Sequence, residues 1–348
     1  MTAIALETIA LAPGYQIPRI IRGGWQLAGD HGPVERSRAI ADMGLFMAAG
    51  LNTVDGADIY TGVEDMYGEF NARQRDAGLP TLQVHTKCVP DYADLDHLSQ
   101  ADLRRSITRS LQRLRTERLD LVQFHWWDYN RGNYLEAAAA LHTLHQEGLI
   151  ARIGGTNFDT AHARALIEAG IPLTSMQTQY SLLDRRSRGG LTLLATQHGM
   201  HLLCYGTLAG GFLTDHWLGQ PAPALPLANR SLVKYHLIIE EFGGWDAFQA
   251  LLRAMKTIAD RHGVRLSSVA VRWVLDQPGV AAAIVGARYA DKLASTLEVF
   301  TFALTAADHA LLEPLLSAAP GPHGEPYGLE RDKTGRHGRI MKYELNKT

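Results

Sequence analysis

The chain has 348 residues, of which 46% are hydrophobic and 20% charged, a composition typical of a soluble globular protein with a sizeable core. Lys and Arg number 34 against 36 Asp and Glu, a formal net charge of −2 that argues against a broad nucleic-acid or anionic-membrane surface. No apolar run is long enough to span a membrane, and the N-terminus lacks the basic start of a secretory signal. We therefore expect a cytoplasmic protein.

The two cysteines, Cys88 and Cys204, lie in apolar segments that look like strands. We interpret them as core thiols in a reducing compartment and not as a disulfide framework.

Glycines divide the chain at regular places. Six of them end helix-like segments, and each is followed directly by Leu, Ile, Met or Val: Gly50, Gly78, Gly148, Gly170, Gly199 and Gly263. A glycine just past a helix adopts the left-handed conformation that caps it. Strand-like runs soon follow most of these glycines, which predicts repeated βα units and a parallel sheet.

Eight strand-like runs are predicted, at about 18–25, 52–55, 82–87, 119–125, 150–155, 173–179, 200–205 and 280–285. Helices are predicted after them at about 34–49, 63–76, 134–147, 161–169, 245–262 and 291–300. For two more helices only one end is predicted: one begins at the cap at Ser99, and the other ends near His198. An extra capped helix is predicted after Thr305.

This count predicts an α/β protein with the (β/α)8 TIM-barrel fold, in a single domain over 1–348. The barrel is predicted to occupy about 18–300, with a C-terminal extension over about 301–348. An open doubly wound sheet is the alternative, but its usual Gly-x-Gly-x-x-Gly sequence after the first strand is absent, since Gly23-Gly24-Trp25 stands there.

Three segments lie outside the barrel pattern. Residues 3–16 contain the turn signal Pro13-Gly14 and are expected to form a hairpin that plugs the barrel floor. Residues 214–232 hold three prolines and are expected to form a long loop over the active face. The polar tail, 321–348, either is disordered or wraps back over the site.

Four side chains lie at or near the carboxyl ends of predicted strands, the end that carries the chemistry in such barrels: Asp55, Tyr60, Lys87 and His125. A tyrosine hydroxyl has a pKa of about 10, and a neighbouring ammonium lowers it. A carboxylate keeps the lysine charged and in place, and a histidine can hydrogen-bond a carbonyl oxygen. These groups suit the protonation of an oxyanion that forms when hydride reaches a carbonyl.

Six motifs then follow one another in order, and together they resemble the aldo-keto reductase family over about 18–300. They are Asp55-Gly-Ala-Asp58-Ile-Tyr60, Lys87, Leu121-Val-Gln-Phe-His125-Trp126, Ile153-Gly-Gly-Thr156-Asn157-Phe158, Gln177-x-x-Tyr180-Ser181 and Tyr205-Gly-Thr-Leu208-Ala-Gly-Gly211.

The resemblance implies that Tyr60 is the general acid, that Lys87 lowers its pKa, that Asp55 holds Lys87 and that His125 orients the substrate carbonyl. It implies NADP(H) as the cofactor. The residues that match its binding positions are Asp55, Thr156, Asn157 and Gln177 at the nicotinamide carboxamide, Tyr205 on the nicotinamide ring, Gly206, Leu208 and Gly210 around the pyrophosphate, and Gly286, Arg288 and Lys292 around the adenosine phosphate.

Two departures from the family's pattern concern the cofactor. Thr156-Asn157 stands where many members have Ser-Asn, which keeps a hydroxyl. Gly286-Ala287 and Ser295-Thr296 stand where many members have Lys-Ser and Glu-Asn. Arg288 and Lys292 are therefore the expected partners of the 2′-phosphate, because both are cationic and lie one helical turn apart.

Three tryptophans are expected to line the substrate mouth: Trp25, Trp126 and Trp127. For Trp127, packing in the core is an equal alternative. The pairs His142/His145 and His198/His201 have a spacing that could suit a metal, but such pairs are more often exposed histidines, and no metal is expected. The absence of His-x-His further weakens a binuclear metal hydrolase interpretation.

The sequence thus favours an NADP-dependent reductase of small-molecule carbonyl compounds that binds neither nucleic acid nor membrane. Two alternatives stay open. One is a Schiff-base aldolase with Lys87 as the nucleophile. The other is a cofactor-bound regulatory subunit that senses redox state.

Overall fold

The computed structural model describes residues 5–29 and 32–346. Parts of two predicted segments lie outside this range: residues 3 and 4 of the hairpin, and residues 347 and 348 of the tail. The strands are β1 (Thr8–Ala12), β2 (Tyr15–Pro18), β3 (Ile20–Gly23), β4 (Thr53–Asp55), β5 (Gln83–Cys88), β6 (Leu121–His125), β7 (Ile153–Thr156), β8 (Leu173–Gln179), β9 (His201–Tyr205) and β10 (Val280–Gly286).

The α-helices are α1 (Arg36–Ala48), α2 (Val63–Asp76), α3 (Gln100–Leu114), α4 (Tyr134–Gln146), α5 (Thr160–Glu168), α6 (Gly190–His198), α7 (Arg230–Phe242), α8 (Gly244–His262), α9 (Leu266–Leu275), α10 (Leu293–Leu297), α11 (Ala306–Ala318) and α12 (Gly328–Arg331).

Eight parallel strands close into a barrel in the order β10-β3-β4-β5-β6-β7-β8-β9. Helices lie between consecutive strands, and the main hydrophobic core fills the space between the strands and these helices. The predicted (β/α)8 barrel is therefore confirmed.

The antiparallel pair of β1 and β2 forms the predicted N-terminal hairpin. Its buried side chains Leu11, Tyr15 and Ile17 pack with residues inside the barrel, and the Tyr15 hydroxyl lies 3.0 Å from Nε2 of His85. The hairpin thus closes the floor of the barrel.

Helix ends follow the capping signals in the sequence. Ser99 and Thr305 each form a capping box with the aspartate three residues later. The six glycines that were predicted to cap helices all have positive φ, between 63° and 86°.

Among the helices that precede β10, two differ from the prediction. Helix α7 begins inside the segment 214–232 that was predicted to be a loop, and α9 was not predicted. Nine of the ten side chains of α9 are buried or nearly so, which leaves no polar face to generate the helical periodicity of a surface helix.

The C-terminal strap, as we call residues 321–346, wraps back across the open end of the barrel. Arg331 donates hydrogen bonds to the carbonyl oxygens of Trp126, Trp127 and Asn157, all at carboxyl ends of barrel strands. Tyr343 accepts a hydrogen bond from the backbone of Tyr92 at 3.0 Å. Of the two possibilities left open for the tail, the structure adopts the second.

Candidate active site

The carboxyl ends of the parallel strands surround a cavity of about 1000 Å³. All four residues of the predicted catalytic set line it: Asp55, Tyr60, Lys87 and His125. Asp55 and His125 are the last residues of β4 and β6, and Lys87 is the last but one of β5. Across the neighbouring strands β6, β7 and β8, His125 pairs with Thr156 and Thr156 pairs with Gln177. The predicted nicotinamide residues therefore lie at the same rim of the barrel as the catalytic set.

Lys87 is held by three hydrogen bonds. Its ammonium donates to both carboxylate oxygens of Asp55, at 2.7 and 2.8 Å, and to the carbonyl oxygen of Gly56 at 2.8 Å. Both side chains of the ion pair are less than 8% exposed. Burial lowers the pKa of Lys87 below its usual value, while Asp55 opposes this change. The main electrostatic partner of the Lys87 ammonium is therefore the Asp55 carboxylate.

Two glutamines hold Asp55 from inside the barrel. Gln177 donates from its amide nitrogen to Oδ1 of Asp55 at 2.7 Å and to the side-chain oxygen of Gln123 at 3.1 Å. Gln123 in turn donates to Asp55 at 3.4 Å. Gln177 was predicted from the sequence as a cofactor residue only, whereas Gln123 was not singled out as a site residue.

Tyr60 follows the loop after β4, and its ring centre lies 4.9 Å from Nζ of Lys87 and 5.0 Å from the ring of Trp25. Burial raises the pKa of Tyr60 well above its usual value, and the carboxylates of Asp55 and Asp58 raise it further. The net lowering that was expected from Lys87 is therefore not found, because burial and the two carboxylates raise the pKa instead. Tyr60 is accordingly a protonated phenol at neutral pH.

His125 is neutral at neutral pH. Burial lowers its pKa to about 3, with the nearby guanidinium of Arg331 as the next cause. Nδ1 lies 3.3 Å from the carbonyl oxygen of Thr156, a long contact that holds the ring only weakly in one tautomer. Within the described part of the chain, Nε2 is buried and has no hydrogen-bond partner. Because His125 lines the cavity, a ligand atom bound there would supply the missing partner.

The predicted nicotinamide and pyrophosphate residues also meet at this cavity. It is lined by Thr156, Asn157, Gln177, Tyr205, Gly206, Leu208 and Gly210. Oγ1 of Thr156 is a second buried polar atom with no partner among the described residues. Asn157 has φ 63°, which asparagine tolerates, and its side-chain oxygen accepts a hydrogen bond from the Tyr205 hydroxyl at 2.8 Å.

The glycine loop after β9 is shaped by α7. Gly206 and Gly210 have positive φ, and a Cβ at Gly206 would lie 2.4 Å from the hydroxyl of Tyr235. At Gly210 a Cβ would lie 2.7 Å from the ring of the same tyrosine. Only glycine fits at these two positions, and Tyr235 fixes the loop against the cavity.

At the adenosine end, the structure brings together only two of the three predicted residues. Gly286 and Lys292 line the cavity, and Arg288 does not. Buried Arg22 donates to the carbonyl oxygens of Ala287 and Arg288, at 3.0 and 2.8 Å, and so sets the turn after β10. In this turn the Arg288 guanidinium lies against the carbonyl of Pro33, at 3.4 Å, outside the lining residues.

The structure places two of the three tryptophans that were expected at the substrate mouth in the cavity wall. Trp25 and Trp127 line the cavity, whereas Trp126 does not and is only 1% exposed. Its indole N–H donates to the carbonyls of Asp128 and Arg131, at 2.9 and 3.2 Å. His125 points into the barrel, and because side chains alternate along an extended chain, Trp126 faces outward and Trp127 inward. The expectation for Trp126 was therefore wrong.

Several cavity residues could not be found from the sequence, because they come from α7, α9 and the strap. Arg230 and Lys234 lie one helical turn apart on α7, and the guanidinium of Arg230 lies 5.7 Å from the ring of Trp25. Arg265 precedes α9 and also lines the cavity. The strap contributes Tyr327, Ile340, Met341, Lys342 and Leu345. Only the spacing of Arg230 and Lys234 was a visible signal.

The described residues contain no helix with the length and apolarity needed to cross a bilayer. They also bring no group of three or more His, Cys, Asp or Glu side chains into a position to hold a metal ion.

Known proteins resemble this chain in sequence and in fold. The chain is 29% identical over 257 residues to flagellar radial spoke protein 5 of Chlamydomonas reinhardtii, with 63% of this chain matched, but it spans only 49% of that protein. It is 26% identical over 323 residues to the aldo-keto reductase YhdN of Bacillus subtilis (strain 168). This match covers 89% of this chain and 94% of the relative.

Among solved structures, a glycerol dehydrogenase from Gluconobacter oxydans superposes with a TM-score of 0.75 at 25% identity, covering 93% of this chain and 98% of that one. A sequence model of the aldo/keto reductase family matches residues 19–316, which is most of the chain and nearly all of the barrel. The chain therefore belongs to the aldo/keto reductase family.

Proposed function

We propose that this protein is an NADP(H)-dependent oxidoreductase that reduces an aldehyde or ketone to an alcohol, with Tyr60 as the general acid. One observation carries the proposal. The buried Asp55–Lys87 ion pair lies beside the ring of Tyr60, and His125 lines the same cavity, which extends from these residues to Lys292.

The residues of the cavity fit a nicotinamide dinucleotide. Oγ1 of Thr156 is buried without a protein partner in the described residues, so a carboxamide placed there would satisfy it. Gln177 uses its amide nitrogen on Asp55, which leaves its side-chain oxygen to accept a hydrogen bond from the same carboxamide. When bound, the reduced nicotinamide supplies the hydride.

The chain's own residues then handle the oxygen of the substrate. Tyr60 holds its proton at neutral pH, because burial raises the pKa of its hydroxyl, and it donates that proton to the oxygen as negative charge develops there. Nε2 of His125 faces the same oxygen. Since Nδ1 is only weakly engaged, the neutral ring can carry its proton on Nε2 and donate a hydrogen bond to the carbonyl.

Lys87 stabilises the tyrosinate that proton donation leaves behind. Its ammonium is close to the ring, and Asp55 fixes its position. Gln123 and Gln177 act one step further away, as positioning residues that orient the Asp55 carboxylate. The charge that stabilises the tyrosinate, the Lys87 ammonium, is therefore buried, and electrostatic interactions are stronger there than in water.

The aldolase alternative is disfavoured by the same hydrogen bonds. A Schiff-base nucleophile needs a neutral amine with a free lone pair. Lys87 instead donates to Asp55 twice and to Gly56, which fixes its three protons and points them away from a substrate carbon.

The preference for NADP(H) over NAD(H) rests on the cationic residues at the adenosine end. Arg288 lies outside the cavity, so we assign the 2′-phosphate to Lys292 and to Arg265 instead. Both side chains are exposed and able to meet a solvated phosphate. Glu298 lies 3.8 Å from Arg265 and reduces its charge in part, so the preference should be moderate.

The test is a turnover assay with purified protein. We expect oxidation of NADPH, and slower oxidation of NADH, with a panel that includes an aromatic aldehyde, a cyclic ketone and glyceraldehyde. Polyhydroxylated substrates belong in the panel because the solved relative is named a glycerol dehydrogenase. Tight cofactor binding without turnover of any member of the panel would instead support the regulatory alternative.

A further inference from the structure

Arg331 of the strap joins the chain just beyond two neighbouring barrel strands. Nη1 donates to the carbonyl oxygens of Trp126 and Trp127, the latter at 2.8 Å. Nη2 donates to the carbonyl oxygen of Asn157 at 2.7 Å. These carbonyls follow β6 and β7 directly, where the register between the two strands has ended, so they are not paired across the strands and need another donor. One guanidinium supplies that donor to both chains.

The guanidinium itself is held in a fixed place. Cζ of Arg331 lies 4.0 Å from the ring centre of Tyr129 and 5.5 Å from that of Tyr327. The preceding residue, Glu330, is fully buried and accepts hydrogen bonds from Arg186 at 3.0 and 3.1 Å. This buried ion pair ties the strap to the segment after β8. Arg331 therefore has little freedom to leave the barrel mouth.

The orientation of the His125 ring depends on its surroundings more than on its own hydrogen bond. The contact from Nδ1 to the carbonyl oxygen of Thr156 is long, at 3.3 Å. Trp127 and Tyr327 lie edge-on to the imidazole, at 4.3 and 5.6 Å between ring centres. The ring therefore depends on the path of the chain through Trp127, whose carbonyl Arg331 holds.

The same guanidinium acts on the nicotinamide side of the cavity. Asn157 has φ 63°, and its surroundings must support that conformation. Its backbone N–H donates to the carbonyl oxygen of Gln177 at 2.9 Å, and its side-chain oxygen accepts from the Tyr205 hydroxyl at 2.8 Å. Arg331 holds the carbonyl of the same residue. One strap residue thus contacts both the chain that carries the imidazole and the chain that carries an expected carboxamide ligand.

The charge of Arg331 contributes less to the state of His125 than burial does. Burial is the first cause that lowers the pKa of His125 to about 3, and the Arg331 guanidinium is the next. Burial alone therefore keeps the imidazole neutral at neutral pH. Loss of Arg331 should accordingly act at pH 7 through geometry and not through protonation of the ring.

We infer that Arg331 is a positioning residue for hydride transfer, which fixes the chain after β6 relative to the chain after β7 and so holds the His125 imidazole and the nicotinamide carboxamide site in one geometry. The inference rests on the proposed function. Such a role has a large effect on rate, because a misplacement of about 1 Å can cost about a hundredfold.

The test removes the guanidinium and then returns it. With NADPH and the best substrate of the panel, Arg331→Ala should lower kcat by about ten- to hundredfold, while the dissociation constant of NADPH changes much less. The rate of a single turnover, followed by the loss of NADPH absorbance in stopped flow, should fall by the same factor. Guanidinium ion at millimolar concentration should restore part of this rate, because Arg331 is only half-buried and the space it leaves is open to small ions.

The matched control is Arg336→Ala. It removes another guanidinium from the same strap, but one that binds Glu240 and Glu241 on α7 and does not line the cavity. This variant should keep the wild-type kcat, and guanidinium ion should not activate it.

If Arg331→Ala does not fold, Arg331→Lys replaces it. Lysine keeps the positive charge but not the planar fork that reaches two chains, so the single-turnover rate should still fall. A normal rate in the Arg331 variant, a loss that guanidinium ion does not relieve in Arg331→Ala, or an equal loss in Arg336→Ala would overturn the inference and leave the proposed reductase standing. A wild type that turns over no carbonyl compound would overturn the reductase itself, and the inference with it.

Discussion

Lys87 and Asp55 form a buried ion pair in which the ammonium meets both carboxylate oxygens, at 2.7 and 2.8 Å. Removing one partner of a buried pair leaves an uncompensated charge, which typically costs about 3–5 kcal/mol. Lys87→Met should therefore lower the free energy of unfolding by that amount, in addition to abolishing turnover. The double variant Asp55→Asn, Lys87→Met should recover part of this loss. Denaturant titration of both measures the difference, and equal stabilities would contradict a charged pair.

Tyr60→Phe should remove the proton donor and little else. We expect kcat to fall by about two to four orders of magnitude, while the dissociation constant of the cofactor stays nearly unchanged. Fluorescence titration with NADPH and steady-state kinetics provide the two measurements. A Tyr60→Phe enzyme with near-normal kcat would rule out Tyr60 as the general acid.

Cofactor choice should depend on Arg265 and Lys292. Replacing either by Ala should weaken NADPH binding by roughly 1–2 kcal/mol, or about five- to thirtyfold in Kd, because a charged hydrogen bond to the 2′-phosphate is lost. NADH binding should barely change, since it presents no phosphate there. Arg288→Ala is the matched control, because this guanidinium lies at Pro33 outside the cavity. Selective loss of NADPH binding in Arg288→Ala would restore the assignment made from the sequence.

Stability should vary with pH through Asp58, which is buried directly behind the site. Its carboxylate accepts from the backbone of Val89 at 3.1 Å and from Ser106 at 3.3 Å. Burial raises the pKa of Asp58 to about 7, with Glu64 as the next cause, and Arg109 opposes the change. The folded protein therefore binds this proton more tightly than the unfolded chain does, so the contribution of Asp58 to stability is lost as pH rises from about 4 through 7.

Asp58→Asn, which keeps the shape without the charge, should remove this dependence. As the pH rises from 5 to 8, the unfolding free energy of the variant should increase by at least about 1 kcal/mol relative to that of the wild type. Urea titrations at the two pH values test this. A constant difference between the two proteins would mean that Asp58 titrates at its ordinary pKa.

Local patterns in the sequence were sufficient to predict the barrel and most of its rim. Alternating strands and helices, capping boxes such as Ser99-x-x-Asp102 and glycines past helix ends depend only on neighbouring residues. Since parallel strands place their carboxyl ends together, the position of Asp55, Lys87 and His125 at strand ends was enough to predict that they meet. Their family motifs added the expected cofactor residues in the same order.

Tertiary structure decided what depends on contacts between distant segments. The strap brings Tyr327 next to His125 through ion pairs and hydrogen bonds that link residues more than 140 positions apart, such as Arg186 and Glu330, and no local pattern encodes such a pair. Trp126 and Trp127 are alike in sequence, and only the direction of the chain at His125 separates a core residue from a cavity residue. Arg288 is directed away from the cavity by a turn that Arg22 sets from the other end of the chain. The chain's local chemistry thus determined which residues could react, whereas long-range packing determined which of them face the substrate.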